Sequence, residues 1–168
     1  MRKYFRMIIG IIAITSTCNA AKPIPYTFDV QGLILGEKYT DSQTRAKLGS
    51  NPLKMDTWDD GEVIGRDYQY GVLNNANEFW FRSNNQDEFS GFSLVDSTFS
   101  VFEGHLKVGN KISCVTQLGG GLLELKNSNS ENQRLYLFYP IGEVSEECLT
   151  IVTDINGIIT SMWAEPPM

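Results

Sequence analysis

The chain has 168 residues, with 14 Lys and Arg against 20 Asp and Glu, one His and three Cys. A net charge of −6 repels phosphate backbones and anionic headgroups, which sets nucleic-acid binding aside. One His and no CxxC spacing leave no ligand set for zinc, so neither a metal nor another cofactor is expected.

Residues 1–21 read as a secretory signal peptide. Arg2, Lys3 and Arg6 form a positive start, and Met7 to Ile14 is apolar but shorter than the roughly 20 residues that span a bilayer. Cys18-Asn19-Ala20 places small residues where a signal peptidase cuts, after Ala20 or Ala21. Cys18 also leaves a second outcome open, a lipid anchor, although Thr15-Ser16-Thr17 lacks the aliphatic residue of a lipoprotein box. Removal of residues 1–21 leaves eleven positive against twenty negative charges, a net of −9 on 147 residues. The expected location is periplasmic or extracellular, with no transmembrane segment in the mature chain. In such an oxidising compartment the remaining cysteines, Cys114 and Cys148, read first as a disulfide, with two buried free thiols as the alternative.

Lys22 to Pro25 is an extended lead-in, and Tyr26 to Leu35 a strand interrupted at Gly32. A helix of about two turns follows: Thr40 or Asp41 caps it, Gly49 ends it after Leu48, and Pro52 prevents continuation. Asp56-Thr57-Trp58-Asp59-Asp60-Gly61-Glu62 sets four carboxylates around a glycine. Such a loop can hold Ca²⁺, but its spacing does not match an EF-hand, and the reading is a solvated acidic loop. Arg66 to Val72, Glu78 to Arg82 and Phe89 to Phe102 are strands, the last broken near Asp96-Ser97. Leu106 to Leu118 predicts a second short helix with Val108, Ile112, Val115 and Leu118 on one stripe, ended by Gly119-Gly120-Gly121. Leu122 to Lys126, Arg134 to Tyr139, Cys148 to Thr153 and Ile158 to Trp163 are strands, the last two joined at Asn156-Gly157, which favours a type I′ hairpin.

The two cycles match: Leu35-Gly36 with a helix ending Leu48-Gly49, and Val108-Gly109 with one ending Leu118-Gly119. The expected fold class is α+β, a tandem repeat of a short helix plus three or four antiparallel strands, helices packed on one face of the sheet. The first repeat is placed at residues 22–105 and the second at 106–168, packed as one compact unit.

Gly36…Leu48-Gly49…Pro52 and Gly109…Leu118-Gly119, each followed by aromatic strands, resemble the β-lactamase inhibitor protein and the related small outer-membrane assembly lipoproteins. The resemblance implies a helix-loop-helix on an antiparallel sheet, a helix-to-strand disulfide and a sheet face free to meet a protein. The first cycle departs from that group in having no cysteine. Period-2 alternation sets Trp80 and Arg82 on one side of their strand, and Arg134, Tyr136 and Phe138 on one side of theirs. Trp, Tyr and Arg are the residues enriched at interface hot spots, so these five are the candidate binding residues; Trp163 can join either face. They are equally ordinary sheet residues.

No catalytic residues are singled out. His105 stands alone in a loop before the second predicted helix, without an identifiable nucleophile. The expectation is an exported binding module, most simply for an envelope or secreted protein, with binding favoured over catalysis and the enzyme question left open. The alternatives are a small envelope enzyme acting on glycan or peptide through carboxylates, and a structural envelope protein.

Overall fold

The computed structural model describes residues 28–164 except 60, 62–63, 84–86, 119–120, 127–130 and 141–147. Residues 1–27, with the expected signal peptide, Cys18 and the lead-in, therefore lie outside the described residues. Among the described residues no helix is long and apolar enough to cross a membrane.

The chain opens with a hairpin of β1 (Asp29–Val30) and β2 (Leu33–Ile34). Gln31 and Gly32 both have positive φ, 54° and 77°, the conformation that a two-residue type I′ turn demands. α1 (Asp41–Leu48) follows, and a capping box starts it: Gln43 N–H donates to Thr40 Oγ1 at 3.3 Å, and Thr40 N–H donates to Gln43 Oε1 at 2.8 Å. The helix buries Thr44 and Leu48, and Gly49 at φ 118° stops it. The expected helix at this position is present with its expected caps.

Eight strands then build the main sheet. The first meander is β3 (Lys54–Asp59), β4 (Ile64–Val72), β5 (Asn75–Ser83) and β6 (Phe89–Leu94). The short strands β7 (Ser100–Val101) and β8 (Leu106–Lys107) and the four-residue α2 (Ser113–Thr116) come next. The second meander is β9 (Leu122–Lys126), β10 (Gln133–Tyr139), β11 (Leu149–Asp154) and β12 (Ile159–Ala164). The sheet order is β3-β4-β5-β6-β12-β11-β10-β9, so the meanders join where β6 pairs with β12, Leu94 opposite Met162 and Phe92 opposite Ala164. A second, four-stranded sheet has the order β2-β1-β7-β8. It crosses the expected repeat boundary at 105/106, because β7 pairs with β8.

This architecture corrects the α+β expectation. The described chain is mostly β, two antiparallel sheets of four and eight strands, with helices of only eight and four residues. It is not a tandem repeat of helix plus strands with helices covering the sheet. The inner face of the large sheet packs mainly against the small sheet and its turns: Val30, Leu33, Val101 and Leu106 are fully buried in one cluster with Phe79, Phe92 and Ile151. Aromatic edges bind the layers, with Phe79 edge-on to Phe99 at 5.0 Å and Phe102 edge-on to Phe138 at 5.8 Å.

The expected helix over Leu106 to Leu118 shrinks to one turn for a physical reason. Gly109 (φ 91°) and Asn110 exchange backbone hydrogen bonds with Ile159, and Ile112 N–H donates to Gly157 O at 2.8 Å. Pairing with the β12 hairpin consumes the groups that an N-terminal helical turn would use. The Asn156-Gly157 turn is also not type I′. Only Gly157 has positive φ, and the Asp154 carboxylate accepts from the N–H of Asn156 and of Ile158 at 2.9 and 2.8 Å, which closes a longer loop. Asp56 to Asp59 belong to strand β3 instead of an acidic loop, since the segment pairs in register with β4 from Lys54–Gln69 to Asp59–Ile64. Asp60 and Glu62 lie outside the described residues.

The Cys114–Cys148 bridge is not formed, because Cys148 is a free thiol. The backbone separates the two. α2, which carries Cys114, is tied to the β11–β12 turn, whereas Cys148 precedes the opposite end of β11. Six strand residues at about 3.3 Å each put roughly 20 Å between those ends, far beyond disulfide reach.

Candidate functional site

Residues opposite each other in an antiparallel ladder point to the same side, so the register sorts every strand residue into an inner or an outer face. The inner face is the core described above. α1 is fastened to it by hydroxyls and a guanidinium. Tyr68 O–H donates to Asp41 Oδ1 at 2.6 Å, Tyr70 O–H to Gly49 O at 2.8 Å, and Arg66 Nη2 to Tyr39 O at 2.9 Å. The Tyr68 bond is the main reason that the Asp41 carboxyl sits below the usual range; burial opposes it, and Arg45 adds to the lowering.

The outer face gathers all three tryptophans of the chain, Trp58, Trp80 and Trp163, each half-buried. Trp58 on β3 is paired with Gly65 on β4, which is paired with Arg82 on β5. Trp80 on β5 is paired with Gly91 on β6, and Trp163 on β12 with Ser93 on β6. The glycines are seats. A Cβ on Gly65 would lie 2.2 Å from the Trp58 indole, and one on Gly91 would lie 2.7 Å from the Trp80 indole. Each ring therefore lies down across the neighbouring strand, which only glycine permits.

Polar groups hold the Trp58 ring in place and pair with one another beside it. Trp58 Nε1–H donates to Asp67 Oδ2 at 3.1 Å, and the Arg82 guanidinium lies 5.8 Å from the centre of the Trp58 ring. Burial pushes the Asp67 carboxyl above its usual range, against the opposing pull of the Trp58 hydrogen bond and the Arg82 charge. Lys54 pairs with Asp56 at 2.5 Å, and Gln69 Nε2 donates to Glu78 Oε1 at 3.0 Å. Farther along this face, Tyr139 is buried beside Cys148, whose thiol is pushed up by its own burial.

The five residues singled out from sequence do not share a face. Trp80 and Arg82 are on the outer side with Trp58 and Trp163. Tyr136 and Phe138 oppose the buried Ile151 and Leu149, which places the Arg134, Tyr136 and Phe138 row on the inner side. Phe138 is 1% exposed and belongs to the core, Tyr136 packs against that core, and Arg134 is exposed near the strand's start. The row that does face outward from β10 is Leu135 and Leu137, both half-buried. The acidic-loop reading hides Trp58, although its alternation with Lys54 and Asp56 marks a strand. His105 is half-buried in the turn before β8.

Among the described residues no group of three or more His, Cys, Asp or Glu is placed to hold a metal ion. No family model, no curated protein and no solved structure matches the chain.

Proposed function

We propose that this protein is an exported binding module whose recognition surface is the outer face of the eight-stranded sheet, around Trp58, Trp80 and Trp163. The observation that carries this reading is the convergence of all three indoles on that face. None of the three enters the buried cluster that holds the fold together. Large aromatic rings kept half in water on a rigid sheet supply contact area at little entropic cost. Asp67 and Arg82 then act as positioning residues for the Trp58 ring.

The test is co-sedimentation of the purified protein with an insoluble cell-envelope fraction. The wild type is expected in the pellet, and Trp58→Ala, Trp80→Ala and Trp163→Ala in the supernatant with unchanged circular dichroism. Equal sedimentation of all four proteins would exclude this face as the recognition surface.

A further inference from the structure

The three tryptophans are collinear on the sheet. From Trp58 the register leads two strands across and two residues along to Trp80, and the same step again leads to Trp163. With strands about 4.8 Å apart and about 3.3 Å of rise per residue, each step is about 12 Å between Cα atoms. One more identical step reaches Leu135, through the pairs Thr150–Trp163, Val152–Ser161 and Leu135–Val152. The outward residues under this diagonal are small: Gly65, Gly91, Ser93 and Thr150. Carboxylates and amides stand beside it, Asp56 and Asp67 near Trp58, and Gln69 and Glu78 near Trp80.

From this layout, and resting on the outer-face reading above, we propose that the ligand is a neutral glycan chain lying along the Trp58–Trp80–Trp163 diagonal. A pyranose ring has C–H faces that stack on an indole and a rim of hydroxyls that donate to carboxylates and amides, the combination that this track presents. An extended glycan advances by roughly one strand spacing per ring, so the tryptophans meet about every second sugar. The indoles that lie flat over Gly65 and Gly91 suit such a ribbon better than the side-chain knobs of a folded protein, which need pockets to fill. The net charge of −6 disfavours polyanionic glycans.

The experiment is a titration of intrinsic tryptophan emission, which reports on this track because the chain has no other tryptophan. It is paired with native electrophoresis in gels containing hydroxyethyl cellulose, glycol chitin or, as the anionic control, alginate. A neutral polymer is expected to retard the protein and alginate not. Affinity for its oligosaccharides should rise from two to about six rings and then level off, as the third tryptophan is reached. Each Trp→Ala change should weaken binding about tenfold, while Trp80→Phe, which keeps a stacking face, loses less and guards against misfolding. Arg134→Ala, on the inner side, should bind as the wild type does. Retardation by alginate alone, or neutral binding that persists in the triple alanine variant, would overturn the proposal. If no neutral glycan binds but the tryptophan variants lose a protease-sensitive co-sedimentation, the ligand is a protein; the glycan assignment then fails while the outer-face reading stands.

Discussion

Phe79 and Trp80 are neighbours in β5 and do opposite things. Phe79 is fully buried and contacts Tyr70, Phe89 and Phe99; Trp80 lies flat over Gly91, half in water. The same contrast runs across the sheet, with an inner face of interlocked aromatics closed by the small sheet and an outer face of spaced indoles with small residues between them. The alternation of the strand lets one element hold the fold and present a surface, so a change at one residue should cost stability and at the next should cost binding.

The largest expected effect tests that division. Phe79→Ala should destabilise by about 3–5 kcal/mol, as emptied aromatic core sites do. Trp80→Ala should cost about 1–2 kcal/mol. Urea denaturation compares them directly, and equal losses would abolish the distinction. Next is Asn77, fully buried, whose Oδ1 accepts the N–H of Val95 at 2.9 Å and of Asp96 at 3.3 Å where β6 ends. Asn77→Leu leaves both donors without that acceptor and should cost about 1–3 kcal/mol by the same assay. Tyr68→Phe removes the bond to Asp41 and should cost about 1 kcal/mol.

Acid titration sharpens the comparison further, because the carboxylates on the two sides shift in opposite directions. Asp41 is held low, chiefly by the Tyr68 hydroxyl, so its contribution is complete above the unfolded value near pH 4 and is lost as pH falls through the folded one. Asp67 is raised by burial, so the folded state keeps its proton longer and stability falls as pH rises from about 4 through its folded value. Thermal melts from pH 7 to pH 2 should show Asp41→Asn removing part of the acid-side loss, and Asp67→Asn slightly stabilising the protein at neutral pH. The smallest effect concerns Cys148. Without reductant it should be alkylated, slowly at neutral pH because burial raises its thiol, and Cys148→Ser should leave the melting temperature unchanged. Resistance to alkylation until reduction would restore the bridge.

The sequence made the local devices plain and the long-range ones obscure. The Thr40 cap, the Gly49 stop and most strands were visible because each depends on a few adjacent residues. The β8–α2 region misled because Val108, Ile112, Val115 and Leu118 carry a helical stripe, while the backbone pairing with Ile159 that overrides it comes from nearly 50 positions away. In β10 both rows are apolar, Leu135 and Leu137 against Tyr136 and Phe138, so alternation alone could not say which row faces the core. Only the register with Leu149 and Ile151 decides it. The diagonal of tryptophans joins strands from both ends of the chain, and no local pattern records it.

The most direct test of the central claim sets stability and binding side by side in one variant. Trp58, Trp80 and Trp163 are replaced together by alanine, and both the melting temperature and the co-sedimentation with envelope material are measured. The expected result is a melt that is lowered by the sum of three modest losses but stays cooperative, and no sedimentation. A protein that no longer melts cooperatively would show that these indoles belong to the core, and one that folds and still sediments would show that recognition lies elsewhere.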